Sequence, residues 1–149
     1  MPQSLVKILV HIVFSTKDRE NLIAPEIEAL LFGYISGVIT NKNARLIIAS
    51  GTADHIHLLV SIGRIDIGKL IGDIKRSSSG WMKLQDPKYA KFYWQRGYGA
   101  FSIGQSQVAT VTQYIQNQKE HHSKQTFKEE FRELCIKYGV EIDERYCWG

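Results

Sequence analysis

The sequence has few of the residues that form cross-links, structural zinc sites or membrane spans. Its 149 residues include two cysteines and three prolines, too few cysteines for a disulfide framework or a cysteine-based zinc site. No apolar run approaches the roughly 20 residues of a membrane-spanning helix, and the N-terminus lacks the cleavage site of a signal peptide. We therefore expect free thiols, no membrane partner and a single domain over residues 1–149, a length that buries a core without cross-links.

The positive charge of the chain is concentrated in its middle third. Lysine and arginine together number 19 against 15 acidic residues, which gives a net charge of +4. Residues 64–96, called here the basic segment, hold eight basic and three acidic side chains with tryptophan and tyrosine among them. Cations neutralise phosphates, and aromatic rings stack on unpaired bases. The basic segment therefore indicates a nucleic-acid-binding surface, with a solvated basic helix beside core aromatics as the alternative.

Hydrophobic periodicity predicts an alternation of strands and helices. Strands are predicted at residues 5–16, 44–50, 55–62 and 92–103, where β-branched and apolar residues cluster. Helices are predicted at 25–43, 65–85, about 106–122 and about 127–138, where apolar residues recur at helical spacing. The first six elements follow the order βαββαβ of the ferredoxin-like split βαβ pattern. We expect an α+β fold whose antiparallel sheet carries two helices on one face, leaves the other face free for chemistry, and is followed by additional C-terminal helices.

Two histidines stand two residues apart in the third predicted strand. Side chains alternate between the faces of a strand, so His55 and His57 point one way and Ile56, Leu58 and Val60 the other. Two imidazoles side by side on a sheet can share one divalent cation. The alternative is a pair of polar residues on a solvated strand face.

A tyrosine and a glutamine lie one helical turn apart in the third predicted helix. Tyr114 and Gln118 are four residues apart and therefore share a helical face. Gln118 offers a neutral oxygen ligand, and Tyr114 offers a phenolic nucleophile. A half-buried tyrosine of an amphipathic helix is the alternative. His121 and His122 follow, and they are open to three interpretations: helix-end cations, residues near phosphates, or metal ligands.

Taken together, these motifs resemble the single-tyrosine HUH transposases, the short transposases of insertion sequences that move as single-stranded DNA. The resemblance rests on His55-Ile56-His57 within GTADHIHLLV, on WQRGYGAFSIG, and on YIQNQKEHH with the Phe-Lys-Glu-Glu-Phe segment that follows. It extends from the first predicted strand to about residue 135. Relatives that act at repetitive extragenic palindromes share this core, so an autonomous transposase and a domesticated tyrosine nuclease both fit.

The resemblance implies a role for each matching residue. Tyr114 matches the catalytic tyrosine, His55 and His57 match the metal-ligand pair, and Gln118 matches the third ligand. The implied cofactor is Mg²⁺ or Mn²⁺. The implied reaction is cleavage and rejoining of single-stranded DNA at hairpin-marked ends through a 5′-phosphotyrosine. The implied working unit is a homodimer in which the tyrosine helix of one subunit can act in trans, in the active site of the other. The implied location is the cytoplasm of a prokaryote, in association with the nucleoid.

The basic segment supplies the expected DNA contacts. They are Arg64, Lys69, Lys75, Arg76, Trp94 and Arg96. Gly104, which follows the fourth predicted strand, is a candidate hinge for the tyrosine helix. Two other functions stay open at this stage: a non-catalytic nucleic-acid-binding module, because RNA-recognition domains share the split βαβ pattern, and a metal-dependent hydrolase that uses water in place of tyrosine.

Overall fold

The computed structural model of the protein describes residues 3–145 together with Cys147 and Trp148. Its strands are β1 (Ile8–Ser15), β2 (Arg45–Gly51), β3 (His55–Ile62) and β4 (Gly99–Ile103). Its helices are α1 (Pro25–Asn41), α2 (Ile67–Gln85), α3 (Val108–Gln116), α4 (Gln118–His121) and α5 (Phe127–Lys137). The strands form one antiparallel sheet in the order β2-β3-β1-β4. This strand order, reached by the chain order βαββαβ, is the predicted ferredoxin-like fold with helices added after β4.

One face of the sheet is covered by α1 and α2. Alternate side chains of β1 and β3 point to this face and pack with the apolar stripes of both helices, among them Ile12, Phe14, Ile56, Leu58 and Val60. Each fully buried side chain of this size contributes roughly 1.5–3 kcal/mol through the hydrophobic effect. This layer is the main core, and it confirms the predicted orientation of the alternating residues on β3.

The opposite face of the sheet, called here the second face, is covered as well. Val111 and Ile115 of α3 pack with Leu59 of β3, and Phe127 and Leu134 of α5 pack with the β1 and β4 side. Both helices are amphipathic, and their apolar stripes need a partner surface. The expectation that this face would be free is therefore wrong. Its polar side chains lie in a closed layer between the sheet and α3 to α5.

Three predicted elements differ from those observed by more than two residues at one end or by a break. The first strand spans Ile8–Ser15 rather than 5–16. The fourth begins at Gly99 rather than at residue 92, because Gly97 has a φ of 74° and turns the chain out of the sheet. Upstream, only an isolated bridge joins Trp94 to Thr16. The third predicted helix is divided into α3 and α4 at Asn117, whose φ of −94° and ψ of 22° depart from helical geometry.

Two further features bear on the sequence-based expectations. Cys135 is buried and Cys147 is half-buried, and both are free thiols. In the part of the chain that the structure describes, no helix is both long enough and apolar enough to cross a bilayer. Gly104 has an ordinary extended conformation between β4 and the 3₁₀ turn at Gln105–Gln107, so its role as a hinge stays a prediction.

Candidate metal centre and nucleophile

The pairing of β1 with β3 places both histidines on the second face, at the end of the sheet where β3 begins. His55 lies opposite Ser15, and His57 lies opposite Val13. The turn that leads into β3 is tight, since a Cβ atom on Gly51 would lie 2.3 Å from the carbonyl oxygen of His55. Both histidine side chains are fully buried. The alternative of two polar residues on a solvated strand face is therefore wrong.

Each histidine of the pair is oriented through its Nδ1 atom. Nδ1 of His55 lies 2.7 Å from Oδ1 of Asp54 and 2.9 Å from Oγ1 of Thr52. Nδ1 of His57 lies 2.8 Å from Nε2 of His11, a buried residue of β1. Histidines that bind metals use their second ring nitrogen in this way, because the bond fixes the ring orientation. The Nε2 atoms of both rings are left to face the interior of the layer.

The Nε2 atoms of three histidines face one oxygen of Glu130, which lies on α5. The Oε1 atom of Glu130 is 2.9 Å from Nε2 of His57, 2.9 Å from Nε2 of His122 and 3.5 Å from Nε2 of His55. His122 follows α4, and Glu130 is fully buried. We call these four residues the histidine–carboxylate cluster.

The second oxygen of the same carboxylate contacts the residues predicted on the tyrosine helix. Oε2 of Glu130 accepts a hydrogen bond from Nε2 of Gln118 at 3.0 Å and another from the hydroxyl of Tyr114. Tyr114 of α3 and Gln118 of α4 therefore point to the same carboxylate, as their spacing predicts, although the helix is divided between them. These contacts place the phenol beside the histidine–carboxylate cluster.

Burial and charge pairing determine the protonation of the cluster. Burial disfavours the carboxylate of Glu130, but hydrogen bonds from His122, His55 and His57 outweigh it and hold the pKa of Glu130 well below its usual range. Burial also disfavours a charged His55, but the carboxylates of Asp54 and Glu130 outweigh it and raise the pKa of His55 to about 9. Without a metal ion, the cluster is therefore an ion pair between Glu130 and the imidazolium of His55.

Three other titratable groups of the layer, His57, His11 and Tyr114, are held neutral. Burial is the largest cause that lowers the pKa of His57 to about 4 and that of His11 to about 3. Burial and the charge of Glu130 raise the pKa of Tyr114 well above its usual range. The ring of His121 packs on Tyr114 with a centroid distance of 4.8 Å. The phenol is thus kept protonated and fixed in position.

The histidine–carboxylate cluster can hold a divalent metal ion. Its four candidate ligand atoms all lie within 4.8 Å of one another, and Oε1 of Gln118 lies 3.1 Å from Nε2 of His55. Ligand atoms about 2.0–2.2 Å from one ion are spaced in this range. The predicted ligands His55, His57 and Gln118 are therefore brought together. His122 joins them, in agreement with one of its three interpretations.

Sequence reasoning missed Glu130 and His11. Glu130 follows Phe127 by three residues and precedes Leu134 by four, so it lies on the buried stripe of an amphipathic helix. A lone acidic residue on such a stripe was the available signal, because a charge is buried only with a partner. His11 carries the same kind of signal, as a single polar residue inside the apolar run of β1.

The six residues predicted to contact DNA lie in different environments. Four of them are exposed: Arg64, Lys69, Arg76 and Arg96. Lys75 is half-buried, and its Nζ donates hydrogen bonds to the carbonyl oxygens of Gln95 at 2.8 Å and Gly97 at 2.5 Å. Burial lowers the pKa of Lys75 to about 8. Lys75 thus holds the loop before β4 in place.

Trp94 is a core residue rather than a surface aromatic. Its ring packs edge-on against Phe14 and Phe92, with centroid distances of 4.9 Å, and its indole N–H donates to Oγ of Ser78 at 2.8 Å. The side chain is 9% exposed, so its ring faces cannot stack on bases. Trp94 nevertheless lines the groove along α2, so its contact with DNA stays a prediction, but not one of base stacking. The exposed aromatic side chains nearby are Tyr93 and Tyr98.

Two surface depressions border these elements. A groove of about 510 Å³ along α2 is lined by cations and aromatics that include Lys75, Arg76, Lys83, Tyr93 and Arg96. A cleft of about 670 Å³ is lined by residues that include Asp54, Lys119, His122, Lys124 and Phe127. Because His122 also belongs to the histidine–carboxylate cluster, this cleft reaches the edge of the candidate metal centre.

Known proteins share both the sequence and the fold. Residues 4–118 match the family described as "Transposase IS200 like", and the chain belongs to this transposase family. Over 116 residues, the chain is 30% identical to the transposase for insertion sequence element IS200 of Salmonella typhimurium and to that of Salmonella typhi. These matches cover 74% of this chain and 76% of each relative. The resemblance to single-tyrosine HUH transposases is thereby confirmed.

Two solved structures share the α+β architecture. A protein of Deinococcus radiodurans R1, described as a transposase, has a TM-score of 0.61 and 22% identity, with 79% of this chain and 98% of that chain covered. A REP-associated tyrosine transposase bound to a REP hairpin has a TM-score of 0.62 and 14% identity, with 82% of this chain and 73% of that chain covered. These two structures confirm the predicted fold.

Proposed function

We propose that this transposase cleaves and rejoins single-stranded DNA at hairpin-marked ends, with Tyr114 as the nucleophile. The observation that carries the proposal is the position of the phenol. The hydroxyl of Tyr114 and Nε2 of His57 contact the two oxygens of one carboxylate. A phosphate held beside the predicted metal ligands would therefore lie close to the phenolic oxygen, and such proximity lowers the barrier to attack.

In the proposed reaction, the phenolic oxygen of Tyr114 attacks the phosphorus of a phosphodiester. The phenol loses its proton as a bond forms between this oxygen and phosphorus. The bond from phosphorus to the 3′-oxygen breaks, and the leaving oxygen takes up a proton to become a 3′-hydroxyl, so that one proton is released and one is taken up. The resulting 5′-phosphotyrosine retains the free energy of the original ester. A 3′-hydroxyl from another strand can therefore reverse the step and join new ends.

We propose His55, His57 and Gln118 as ligands of Mg²⁺ or Mn²⁺. When bound, the cation would offset negative charge on a non-bridging oxygen of the scissile phosphate. The buried hydrogen bonds of His55 and His57 at Nδ1 keep both rings in a fixed orientation. Imidazole ligands suit Mn²⁺ better than Mg²⁺, so activity measured in vitro should be higher with Mn²⁺.

Single-stranded DNA would follow the cationic groove along α2 and reach the candidate metal centre through the cleft beside it. Along the groove, Arg76 and Arg96 would neutralise phosphates, and Tyr93 would stack on a base. Lys119 and Lys124 line the cleft that reaches His122, which offers a path to the candidate metal centre. The REP-associated relative is bound to a hairpin, which supports a hairpin as the recognised form here.

We further propose a homodimer that works with the chromosome in the prokaryotic cytoplasm. One nucleophile per chain means that two chains are needed to cut two strands. Within this dimer the tyrosine helix would serve the histidine pair of its own subunit or, in trans, that of its partner. Palindromes near the ends of the surrounding DNA element would indicate an autonomous transposase, and their absence would indicate a domesticated one.

The test is covalent capture of a labelled single-stranded hairpin in the presence of Mn²⁺. The wild-type protein should form an adduct that survives SDS, while Tyr114→Phe should form none and still bind the hairpin. Tyr138→Phe is the matched control, because Tyr138 packs in the same layer against Phe101 and contacts no member of the cluster within the described residues. An adduct with Tyr114→Phe would disprove the assignment, and a free 5′-phosphate product would favour water as the nucleophile.

A further inference from the structure

Glu130 lies at the centre of the candidate metal site although it is outside the region that matches the family. The match to the IS200-like transposases covers residues 4–118, and Glu130 lies on α5, which follows that region. Its Oε1 atom is nevertheless within 3.5 Å of Nε2 of His55 and within 2.9 Å of Nε2 of both His57 and His122. These groups converge from β3, from the end of α4 and from α5.

The charges of the site favour a bound divalent cation. Two carboxylates are hydrogen-bonded to its histidines, those of Glu130 and Asp54. Burial of unpaired charge is strongly unfavourable, and a divalent cation among neutral imidazoles offsets two carboxylates. Three imidazoles, one carboxylate and one amide oxygen are also donors that first-row divalent metals accept.

We propose that Glu130 is a resident ligand of this metal centre, binding the cation through Oε1 beside His55, His57 and His122 while Oε2 positions the hydroxyl of Tyr114. The assignment rests on the proposed function, because it concerns the same cation. It adds one charged ligand and one imidazole to the three ligands expected from the family. It also makes Glu130 the positioning residue for the nucleophile, since its two oxygens set the separation between the ligand cluster and the phenol.

The alternative role for the same carboxylate is that of an anion that occupies the place of the scissile phosphate and obstructs it. The orientation of Gln118 argues for the ligand role. Its Oε1 atom points to Nε2 of His55 at 3.1 Å, while its Nε2 atom donates to Oε2 of Glu130 at 3.0 Å. An amide oxygen and a carboxylate oxygen therefore face the same imidazole nitrogen, Nε2 of His55, as two oxygen ligands of one ion would.

The experiment is a calorimetric titration of Mn²⁺ into the DNA-free protein. Glu130→Gln should lower the affinity at least tenfold, the scale on which changes around metal sites act. Glu133→Gln is the control, because Glu133 lies exposed on the same helix and this substitution removes the same charge. The Mn²⁺ affinity of this variant should be unchanged. His122→Gln tests the added imidazole independently and should also weaken binding. Circular dichroism of each metal-free variant verifies its fold.

A second measurement reports the ligands themselves. The visible absorption spectrum of the Co²⁺-loaded protein should change in position and intensity for Glu130→Gln and stay the same for Glu133→Gln.

Wild-type Mn²⁺ affinity together with faster adduct formation in Glu130→Gln would overturn the proposal and assign the carboxylate as an obstruction. Loss of Mn²⁺ binding in His57→Gln but not in Glu130→Gln would overturn only the proposal that Glu130 is a ligand, and it would leave the proposed function intact. Wild-type Mn²⁺ affinity in both His57→Gln and Glu130→Gln would overturn the metal centre at these residues. The adduct assay would then test Tyr114 as the nucleophile independently.

Discussion

The hydroxyl of Tyr114 donates a hydrogen bond to Oε2 of Glu130, which lies 16 residues further along the chain. The other oxygen of that carboxylate contacts His57 on β3 at 2.9 Å. One buried side chain thus joins the tyrosine helix, the histidine strand and α5. The geometry of the nucleophile therefore depends on how α5 packs against the sheet, and on the groups that orient each ring.

Replacing His11 should weaken metal binding without disrupting the fold. His11→Leu keeps a similar volume in the buried layer but removes the partner of Nδ1 of His57. Loss of such a partner lowers metal affinity by about 10–100-fold, which a Mn²⁺ titration would measure. Ser15→Ala on the same strand is the control, since Ser15 bonds to Gln95 rather than to a histidine. Equal affinities in the two variants would show that the contact between His11 and His57 does not orient the ligand.

The metal-free protein should become less stable as the pH rises from 6.5 to 8. The folded pKa of His55 is about 9 and its ordinary value is 6.5, so the folded state binds this proton more tightly than the unfolded state. The resulting stabilisation is complete below pH 6.5 and is lost as the pH rises toward 9. A decrease of about 2 kcal/mol in unfolding free energy by pH 8 follows from 1.36 kcal/mol per pH unit.

Urea unfolding in the presence of EDTA would measure this decrease. Asp54→Asn should reduce it, because the carboxylate of Asp54 helps to raise the pKa of His55. A stability that is constant over the interval would mean that His55 is neutral in the folded protein.

Exposed and buried aromatics of the basic segment should respond differently to substitution. Tyr93→Ala should weaken binding of single-stranded DNA by about 1–3 kcal/mol, the contribution of one stacked base, and leave the melting temperature unchanged. Trp94→Ala should cost about 3–5 kcal/mol of stability, because its ring is packed between Phe14 and Phe92. Fluorescence anisotropy with a labelled strand and thermal melting separate the two effects. A Trp94→Ala protein that keeps its stability but loses DNA affinity would show that Trp94 contacts DNA directly.

Substitution of Gly99 should disturb the candidate metal centre through α5. A Cβ atom at Gly99 would lie 2.9 Å from Cε2 of Phe131 and 3.0 Å from the ring of Phe101. Gly99→Ala should therefore shift α5, cost about 1–3 kcal/mol of stability, and weaken Mn²⁺ binding. Gly80→Ala is the control: it lies on α2 with open space around it and should stabilise the protein by about 0.5–1 kcal/mol. Unchanged Mn²⁺ affinity in Gly99→Ala would mean that the position of α5 is not coupled to the site.

Local patterns predicted the parts of the site that lie on single elements. The two-residue spacing of His55 and His57 gives a common face on any strand, and the four-residue spacing of Tyr114 and Gln118 gives a common face on any helix. The sheet followed from the order of strands and helices. The closed second face could not be predicted in this way. Periodicity predicts the amphipathic helices after β4, but it does not show which surface they pack against.

For the basic segment, the sequence did not show which aromatic side chains are exposed and which are buried. Charge and aromatic composition indicated a binding surface, but composition does not separate a ring that stacks on bases from one that fills a core. Trp94 and Tyr93 are adjacent in the sequence and differ in burial, since one points to Phe14 and the other to solvent.

The sequence by itself determined the strand that carries the histidine pair, the helix that carries the tyrosine, and the family to which they belong. Only the tertiary structure decided that Glu130 and His11 complete the site. Their contacts join residues 73 and 46 positions from His57, and such contacts depend on how whole elements pack rather than on local periodicity. Burial then makes these contacts consequential, because a carboxylate shielded from water must be paired with a cation, an imidazolium or a metal ion.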